Sequence, residues 1–304
     1  MNILKQGDTI GIICPSYVAD KNDYEKYKSG IEKLGFKVKL GKNIYKDTNR
    51  YTASVEERVN DLNEMVYDKN VKMILFDGGC GSVDLIPYID YRQIKKTPKL
   101  FLSYSDGTSI LNAVYAQTGT TTYYGQTPIL FDNISEYDWK QFVSHFIEGN
   151  VTNYISNSDW HTITEGFCRG SLVGGYLLNF ALALGNRFFP YQTDKNYILF
   201  IEELDQFRDI EYVSMLLTCI GQSRLMGQVT GLLFGHYSNE ASPLLFEVLE
   251  RFGKKYNIPV VYCDDFGHGY NHAIFPIGKE AFLDTKNKTL LFQPESVKLN
   301  CFAR

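Results

Sequence analysis

The alternation of short apolar segments with longer amphipathic ones in the first half of the chain most constrains its fold. Strands are predicted at "TIGIICPS", "KVKLGKNI", "VKMILFDGGCGS" and "KLFLSYSD", and helical apolar spacing is present in "DYEKYKSGIEKLGF", "SVEERVNDLNEMVYD" and "TSILNAVYAQTG". Ser54 and Glu57 have the spacing of a capping box. Repeated strand–helix units predict a parallel sheet covered by helices, with ligands bound beyond the carboxyl ends of its strands.

A second α/β unit is predicted in the rest of the chain. Residues 132–165 are polar and aromatic, which indicates a connector. After it, "GSLVGGYLLNFALALG" begins a unit with strands at "YILFIEEL", "VTGLLFGHY" and "PVVYCDDFGHG". We therefore expect an N-terminal α/β lobe at residues 1–150, a connector at 151–167 and a C-terminal α/β lobe at 168–304.

Charge and composition argue against two classes of partner. The formal net charge is −4, so the chain lacks the basic surface expected for binding a nucleic acid polymer or an anionic membrane. No segment reaches the roughly 18–20 apolar residues of a membrane span, and the N-terminus lacks the pattern of a signal peptide. The six cysteines are scattered without a C-x-x-C motif, which favours reduced thiols and a cytoplasmic protein.

Ser105 lies at a corner between a predicted strand and a predicted helix, in "LFLSYSDGTSILNAVY". A side chain at such a corner is presented to solvent beside the unpaired amides of the first helical turn, which can stabilise an oxyanion. This is the arrangement of a nucleophile elbow. The competing interpretation is an N-cap serine, which is common at helix starts and is favoured when these residues are taken alone.

The loop "DGGCGS" follows another predicted strand and contains Gly78, Gly79 and Gly81. Glycines let the backbone approach a ligand closely, so the loop could donate amides to an oxyanion or surround a phosphate. Its spacing matches neither a Walker loop nor G-x-G-x-x-G. An ordinary tight turn between a strand and a helix explains the glycines equally well.

Two further segments could complete a catalytic triad. The apolar strand in "ILFIEELDQ" ends in Glu202 and Glu203, where an acid could orient a histidine or simply face solvent. His268 lies between Gly267 and Gly269 in a loop after a strand, where it could reach into a cleft. In a triad the serine attacks, the histidine carries the proton and the acid fixes the imidazole tautomer. The order Ser, Glu, His is shared with α/β-hydrolases, so the order alone does not identify the class of enzyme.

A metal site is the alternative for the same loop. His268 and His272 have helical i, i+4 spacing, and Asp264 and Asp265 are close to them in sequence. The glycines on either side of His268 oppose a helix at this point. We therefore expect no metal here.

Longer blocks of the sequence resemble one family over nearly the whole chain. The blocks are "GDTIGIICPS", "GGCGSVDLIPYIDYRQIKKTPKLFLSYSD", "LNAVYAQTGTTTYYG", "RGSLVGGYL", "ILFIEE" and "DFGHGYNHAIFPIG". They are similar to the serine peptidases that include LD-carboxypeptidases (muramoyltetrapeptide carboxypeptidases) and the microcin C7 self-immunity protein, peptidase family S66. The segments "YYG" and "DFGH" resemble the microcin-immunity branch more closely.

The resemblance implies both the fold and the site. The fold would be two α/β lobes, the first with a parallel sheet of the flavodoxin or class I glutamine-amidotransferase type, and the active site would lie between them. Ser105 would be the nucleophile, with Glu202 and His268 completing the triad. An oxyanion hole would come from the amide of Asp106 and an amide of the Gly78–Gly79 segment. The resemblance also implies a homodimer that uses no metal and no other cofactor.

The departures from the family pattern that lie nearest the predicted nucleophile are at four positions. Ser103 stands where the family has glycine two residues before the nucleophile, and Gly107 stands where it has isoleucine or leucine. Asp77 and Cys80 replace a cation and an aromatic residue in the glycine loop. The predicted fold and triad survive these changes, which bear on substrate preference.

Three functions are compatible with these residues. The leading one is a serine-type carboxypeptidase that cleaves an L,D-amide in a murein tetrapeptide, or in a similar small peptide-like substrate, and releases D-alanine. The second is a hydrolase of aminoacyl- or peptidyl-nucleotide amides, as in the microcin-immunity branch. The third is a non-catalytic binding protein on the same fold, which the altered elbow at Ser103 supports and the retention of all three triad residue types opposes.

Overall fold

The first part of the chain alternates strands and helices, as its sequence predicts. The structure is a computed structural model, and it describes residues 3–149, 151–189, 192, 194–240 and 242–293. The elements of the first part are β1 (Thr9–Ile13), α1 (Lys21–Lys33), β2 (Lys37–Leu40), α2 (Val55–Tyr67), β3 (Val71–Phe76), α3 (Tyr91–Lys96), β4 (Leu100–Ser103), α4 (Thr108–Thr118), β5 (Thr122–Tyr124) and α5 (Glu136–Phe142). Strands β1 to β5 form a parallel sheet in the order β5-β4-β3-β1-β2.

The rest of the described chain builds a second sheet with its own helices. Its elements are β6 (His161–Thr164), β7 (Phe167–Tyr176), α6 (Leu177–Ala183), β8 (Tyr197–Glu202), α7 (Ile210–Gln222), β9 (Val229–Phe234), α8 (Pro243–Tyr256), β10 (Val260–Tyr262), β11 (Phe275–Ile277), β12 (Glu280–Asp284) and β13 (Thr289–Phe292). The second sheet has the order β13-β12-β7-β8-β9-β10-β6, with β7 to β10 parallel and antiparallel strands at both edges. The predicted two-lobed α/β fold is confirmed.

Two strands fall outside the lobe boundaries expected from the sequence. Strand β6 lies within the predicted connector, 151–167, but pairs with β10 at the edge of the second sheet. Strand β11 lies within the predicted C-terminal lobe, 168–304, but pairs antiparallel with β5 of the first sheet. Both are short edge strands of three or four residues whose partners are distant in sequence, so local apolar patterns do not reveal their pairing. Residues 294–304 of that predicted lobe are outside the described residues.

The interiors of the two sheets are continuous. One apolar cluster contains Ile74 and Phe101 from the first sheet together with Leu199 and Phe200 from the second. Helix α4 contributes three fully buried side chains to it, Ile110, Leu111 and Val114. The shared interior fixes the carboxyl ends of β4 and β8 relative to each other, because close-packed side chains allow little independent movement.

Three local expectations can be compared with the structure. Ser54 and Glu57 form the predicted capping box at the start of α2. Among the described residues, no helix is both long enough and apolar enough to span a membrane. The described cysteines that are free thiols are Cys14, Cys80, Cys168, Cys219 and Cys263.

Candidate active site

Ser105, His268 and Glu202 meet at the junction of the two sheets. Ser105 follows β4, Glu202 ends β8, and His268 lies in the loop after β10. His268 Nε2 is 2.9 Å from Ser105 Oγ, and His268 Nδ1 is 2.8 Å from Glu202 Oε2. The three side chains therefore form a continuous hydrogen-bonded series of hydroxyl, imidazole and carboxylate, in which the imidazole can accept the serine proton.

The backbone at Ser105 has the geometry of a strained corner. Its φ is +53°, in the left-handed region that residues with a Cβ rarely adopt. Helix α4 begins after Gly107 without a side-chain cap, so the N-cap interpretation of Ser105 is wrong. Ser105 is only 8% exposed, which differs from the open presentation to solvent expected from the sequence. A strained residue held at such a position is typical of functional sites.

The glycine loop approaches Ser105 closely. A Cβ added to Gly78 would lie 2.9 Å from the Cβ of Ser105, closer than real Cβ atoms approach other atoms, and 3.3 Å from its Oγ. Gly79 has a φ of +128°, which favours glycine. The residues expected to supply the oxyanion hole, Gly78, Gly79 and Asp106, thus lie in the two segments next to the hydroxyl.

Asp106, the residue after Ser105, binds three separate segments through its carboxylate. Its Oδ2 accepts hydrogen bonds from Ser16 Oγ at 2.6 Å and from the Ser82 amide at 2.8 Å. Its Oδ1 accepts one from Asn179 Nδ2 at 2.7 Å, and Asn179 belongs to α6 of the second lobe. Asp106 is 4% exposed. These bonds fix the segment that carries Ser105 against both lobes, a role that the sequence did not reveal.

Tyr124 is a second residue that the sequence analysis did not assign to the site. Its hydroxyl accepts a hydrogen bond from the Ser105 amide at 3.0 Å and donates one to Glu202 Oε1. It ends β5, the strand next to β4, and is fully buried. The only sequence signal was its place in the "YYG" segment, which says nothing about a contact with a residue 78 positions further on.

The two glutamates at the end of β8 are both fully buried, so neither is a strand-end acid in solvent. Burial of His268 disfavours its imidazolium, but the charge of Glu202 and its hydrogen bond outweigh burial, and the pKa of His268 is raised. Burial raises the pKa of Glu203 to about 7, although the Leu204 amide partly opposes this shift. His268 and Glu203 therefore both have raised pKa values.

The acids and histidines considered for a metal site have separate partners. Asp264 contacts His236, Asp265 contacts Trp160, His268 contacts Glu202, and His272 contacts Asp138. Within the described part of the chain, no group of three or more His, Cys, Asp or Glu side chains is arranged to hold a metal ion.

Ser103 and Gly107, two of the departures from the family pattern, lie against each other. Ser103 Oγ donates a 2.7 Å hydrogen bond to the Phe76 carbonyl at the end of β3. A Cβ added to Gly107 would be only 2.2 Å from that Oγ. The serine therefore occupies space that a larger residue at 107 would need, and the two departures compensate sterically.

Asp77 and Cys80, the other two departures, have different surroundings. The Asp77 carboxylate accepts a hydrogen bond from the Tyr24 hydroxyl, and burial raises the pKa of Asp77. Cys80 is exposed in the glycine loop. A cavity of about 240 Å³ lies next to His268, and its lining includes Asp205, Gln206, His236, Asn239 and Tyr270.

Two stretches of the chain match one family of peptidases. Residues 10–125 match the LD-carboxypeptidase N-terminal domain, and residues 169–283 match the LD-carboxypeptidase C-terminal domain. Together these stretches include most of the chain. The chain therefore belongs to the LD-carboxypeptidase family, peptidase family S66.

Individual relatives cover almost the full length of the chain. A Bacillus subtilis (strain 168) protein named "Probable murein peptide carboxypeptidase" is 29% identical, over 95% of this chain and 93% of its own length. The Escherichia coli microcin C7 self-immunity protein MccF is 26% identical, over 94% of this chain and 93% of its own length.

Solved structures share the fold. An MccF-like protein from Bacillus anthracis str. Ames has a TM-score of 0.87 at 27% identity, covering 96% of this chain and 98% of that one. MccF in complex with aspartyl sulfamoyl adenosine has a TM-score of 0.84 at 25% identity, covering 97% of this chain and 98% of that one.

Proposed function

We propose that the protein is a serine-type carboxypeptidase that cleaves an L,D-amide in murein tetrapeptides or in a similar small peptide-like substrate. The observation that carries this proposal is the hydrogen-bonded series from Ser105 Oγ through His268 to Glu202. It has the geometry required of a nucleophile, its general base and the acid that orients the base. Similarity to a protein named as a murein peptide carboxypeptidase supports the substrate class.

The reaction follows from the roles of the three side chains. Ser105 Oγ attacks the scissile carbonyl carbon while His268 Nε2 takes its proton, and Glu202 stabilises the resulting imidazolium. His268 then gives the proton to the leaving amine, the C–N bond breaks, and an acyl-serine ester remains. Water, deprotonated by the same imidazole, attacks this ester, releases the carboxylic acid product and restores the Ser105 hydroxyl.

The oxyanion formed during attack needs amide donors other than the amide of Ser105 itself. That amide donates to the Tyr124 hydroxyl, so it is already engaged. The amide of Asp106 and an amide of Gly78 or Gly79 lie in the segments adjacent to the hydroxyl and are assigned this role.

A second candidate function is hydrolysis of aminoacyl- or peptidyl-nucleotide amides. The observation that favours it is the likeness of the whole chain to MccF, whose structure holds aspartyl sulfamoyl adenosine. The covalent chemistry would be the same, because Ser105 would attack an amide carbonyl in both cases. The leaving group would be an amino acid in the first function and a nucleotide derivative in the second.

Paired substrates test the proposal. The wild-type protein should release D-alanine from a murein tetrapeptide, and faster turnover of an aminoacyl sulfamoyl adenylate would favour the second function instead. Ser105→Ala should lower turnover by about 10⁴–10⁶-fold while the protein stays folded. If the alanine variant keeps more than about a tenth of the activity, Ser105 is not the nucleophile. A protein that binds these molecules, hydrolyses neither and fails to react with a fluorophosphonate would be a non-catalytic binding protein.

We further propose that the protein is a cytoplasmic homodimer. The family resemblance supports the dimer, and the free thiols of the described cysteines are compatible with a reducing compartment. Light scattering coupled to size-exclusion chromatography tests the dimer, since the chain mass is 34.8 kDa and a dimer has twice that mass. Fractionation of cells tests the compartment.

A further inference from the structure

The Tyr124 hydroxyl connects the two ends of the candidate triad. It accepts from the amide of Ser105 at 3.0 Å and donates to Glu202 Oε1, while Glu202 Oε2 accepts from His268. A single hydroxyl therefore contacts the backbone of the nucleophile and the side chain of the acid. None of these bonds uses Ser105 Oγ or His268 Nε2, the two atoms that would react.

Glu202 needs this second donor because its side chain has no exposed surface. A buried carboxylate is strongly destabilised unless hydrogen bonds replace its lost hydration. His268 satisfies one carboxylate oxygen and Tyr124 satisfies the other. Burial raises the pKa of Tyr124 well above its usual range, so its hydroxyl keeps its proton near neutral pH and can donate to Glu202.

Ser105 needs the same hydroxyl for a different reason. Its backbone is in the left-handed region, with φ at +53°, and such a conformation persists only where the surroundings hold it. The bond from the Ser105 amide to Tyr124 is one such restraint. The Tyr124 ring is itself confined, since it packs 5.7 Å from the Phe200 ring, and a Cβ on Gly175 would lie 2.9 Å from it.

We infer that Tyr124 is a positioning residue that sets the reactivity of Ser105 through the Ser105 backbone and the Glu202 carboxylate. This inference rests on the proposed serine mechanism. Tyr124 contacts no reacting atom and acts only through its two partners. Loss of its hydroxyl leaves more negative charge on Glu202 facing His268, which stabilises the imidazolium and removes the free base at low pH.

The other titratable groups around His268 are unchanged in a Tyr124 variant, so they do not explain a change in the titration of His268. The titratable and charged groups that surround His268 and Glu202 are Glu203, Tyr104, Tyr176, Asp77, His272, Arg208, Asp205 and His236. The effect of Tyr124 on the titration of His268 is therefore obtained by comparing the Tyr124 variant with a control variant that keeps all of these groups.

The test compares Tyr124→Phe with Tyr123→Phe. Tyr123 is the preceding residue of β5, on the opposite face of the strand from Tyr124, and packs against Phe146, so its variant loses a tyrosine hydroxyl on the face away from the triad. The measurement is the rate of labelling of Ser105 by a fluorophosphonate between pH 5 and pH 9, which requires no knowledge of the natural substrate. Urea unfolding of each variant reports its folding.

In Tyr124→Phe the maximal labelling rate should fall about 10–100-fold, the range expected for a misplaced reacting group. On the acidic side of the plot of labelling rate against pH, the acid limb, the midpoint should move about 0.5–1 pH unit upward, since the His268 imidazolium is stabilised. Tyr123→Phe should keep the wild-type profile. A Tyr124→Phe protein that is folded and has the wild-type rate and midpoint overturns the inference, while a wild-type protein that is not labelled at all overturns the proposed function and this inference with it.

A second variant covers the case in which Tyr124→Phe does not fold. Incorporation of 3-fluorotyrosine at position 124 alone keeps the ring and the hydroxyl but makes the hydroxyl a stronger donor. The acid limb should then move to lower pH, opposite to its movement in Tyr124→Phe. An unchanged limb in the fluorinated protein contradicts the inference.

Discussion

Glu202 and Glu203 are adjacent and fully buried, but their chemical surroundings differ. Glu202 contacts His268 and Tyr124, whereas Glu203 accepts a hydrogen bond from the Leu204 amide. Successive side chains at the end of a strand point to opposite faces, so only one of the two can face the histidine. We therefore expect Glu202 to affect catalysis and Glu203 to affect the stability of the fold.

The activities of the Glu202→Gln and Glu203→Gln variants show which of the two glutamates acts in catalysis. Glu202→Gln keeps the shape of the side chain but removes the charge that stabilises the His268 imidazolium, so we expect a loss of orders of magnitude in kcat with little change in folding. Glu203→Gln should have a mild effect on kcat, since the imidazole is hydrogen-bonded to Glu202, and the charge of Glu203 contributes less than Glu202 does to the raised pKa of His268. Both variants are compared at saturating substrate. A crippled Glu203→Gln beside a near-normal Glu202→Gln would move the acid role to Glu203.

Glu203 should also make stability depend on pH. Its pKa of about 7 exceeds the value of 4.5 for an ordinary glutamate, so the folded state holds the proton more tightly than the unfolded state does. The stabilisation from this proton is complete below about pH 4.5 and is lost as the pH rises through 7. Glu203→Gln stays neutral, and we expect it to be more stable than the wild type at pH 8, by at most roughly 3 kcal/mol, but not at pH 5.

Urea unfolding at the two pH values measures this effect. Glu32→Gln, which removes one negative charge from an exposed position on α1, is the control for a change in net charge. An equal effect of Glu203→Gln at pH 5 and at pH 8 would show that the Glu203 carboxyl does not titrate as described.

At the scale of elements, the turn from β4 to α4 has room for a side chain at position 103 or at position 107, but not at both. Ser103 at the end of β4 carries a side chain, and Gly107 at the start of α4 carries none. Ser103 Oγ uses the free space to bind the Phe76 carbonyl. Gly107 has a right-handed helical backbone, so it is required here by space and not by its φ.

A double-mutant cycle tests this exchange. Gly107→Ala places a Cβ about 2.2 Å from Ser103 Oγ, so we expect the free energy of unfolding to fall by about 1–3 kcal/mol, as is typical of overpacking. In the Ser103→Gly background the same substitution should be much less harmful, because the clashing atom is gone. Urea unfolding of the two single variants and the double variant gives the coupling energy. Additive effects would mean that the two positions do not compensate.

At the scale of the whole molecule, local sequence patterns predicted those features that are determined by residues close together in the chain. The strand–helix alternation gave the first parallel sheet, and the corner at Ser105, the acid at Glu202 and the glycine-flanked His268 named the residues that the structure brings together. The choice of Glu202 over Glu203, however, depended on the family resemblance, because alternation along a strand excludes one glutamate without saying which.

Pairings between distant segments could not be predicted. Tyr124 and Glu202 are 78 positions apart, and Asp106 and Asn179 are 73 apart. A tyrosine in an apolar strand and an asparagine in a helix give no local sign of such contacts. The edge strands β6 and β11 were missed for the same reason, since their placement depends on which sheet edge remains open after the other strands have paired.

Strand β11 follows β10 of the second sheet but pairs with the first sheet, and this pairing affects the position of His268. The loop that carries His268 begins after β10 of the second sheet and ends at β11 of the first. Both sheets therefore determine where His268 lies relative to Ser105. Phe275 in β11 is fully buried. Its ring stacks on the Phe200 ring at 4.8 Å and packs at a tilt against the Phe266 ring at 4.5 Å, and these contacts hold this end of the loop.

Phe275→Leu should therefore weaken both the fold and the reactivity of Ser105. We expect the free energy of unfolding to fall by about 1–3 kcal/mol from the lost ring contacts. We also expect slower fluorophosphonate labelling per folded molecule, because the His268 loop loses part of its attachment to the first sheet. Phe282→Leu is the matched control, since Phe282 lies in β12, is only partly buried and stacks on Phe167 within the second lobe. If Phe275→Leu loses stability but labels at the wild-type rate, β11 stabilises the fold without positioning His268.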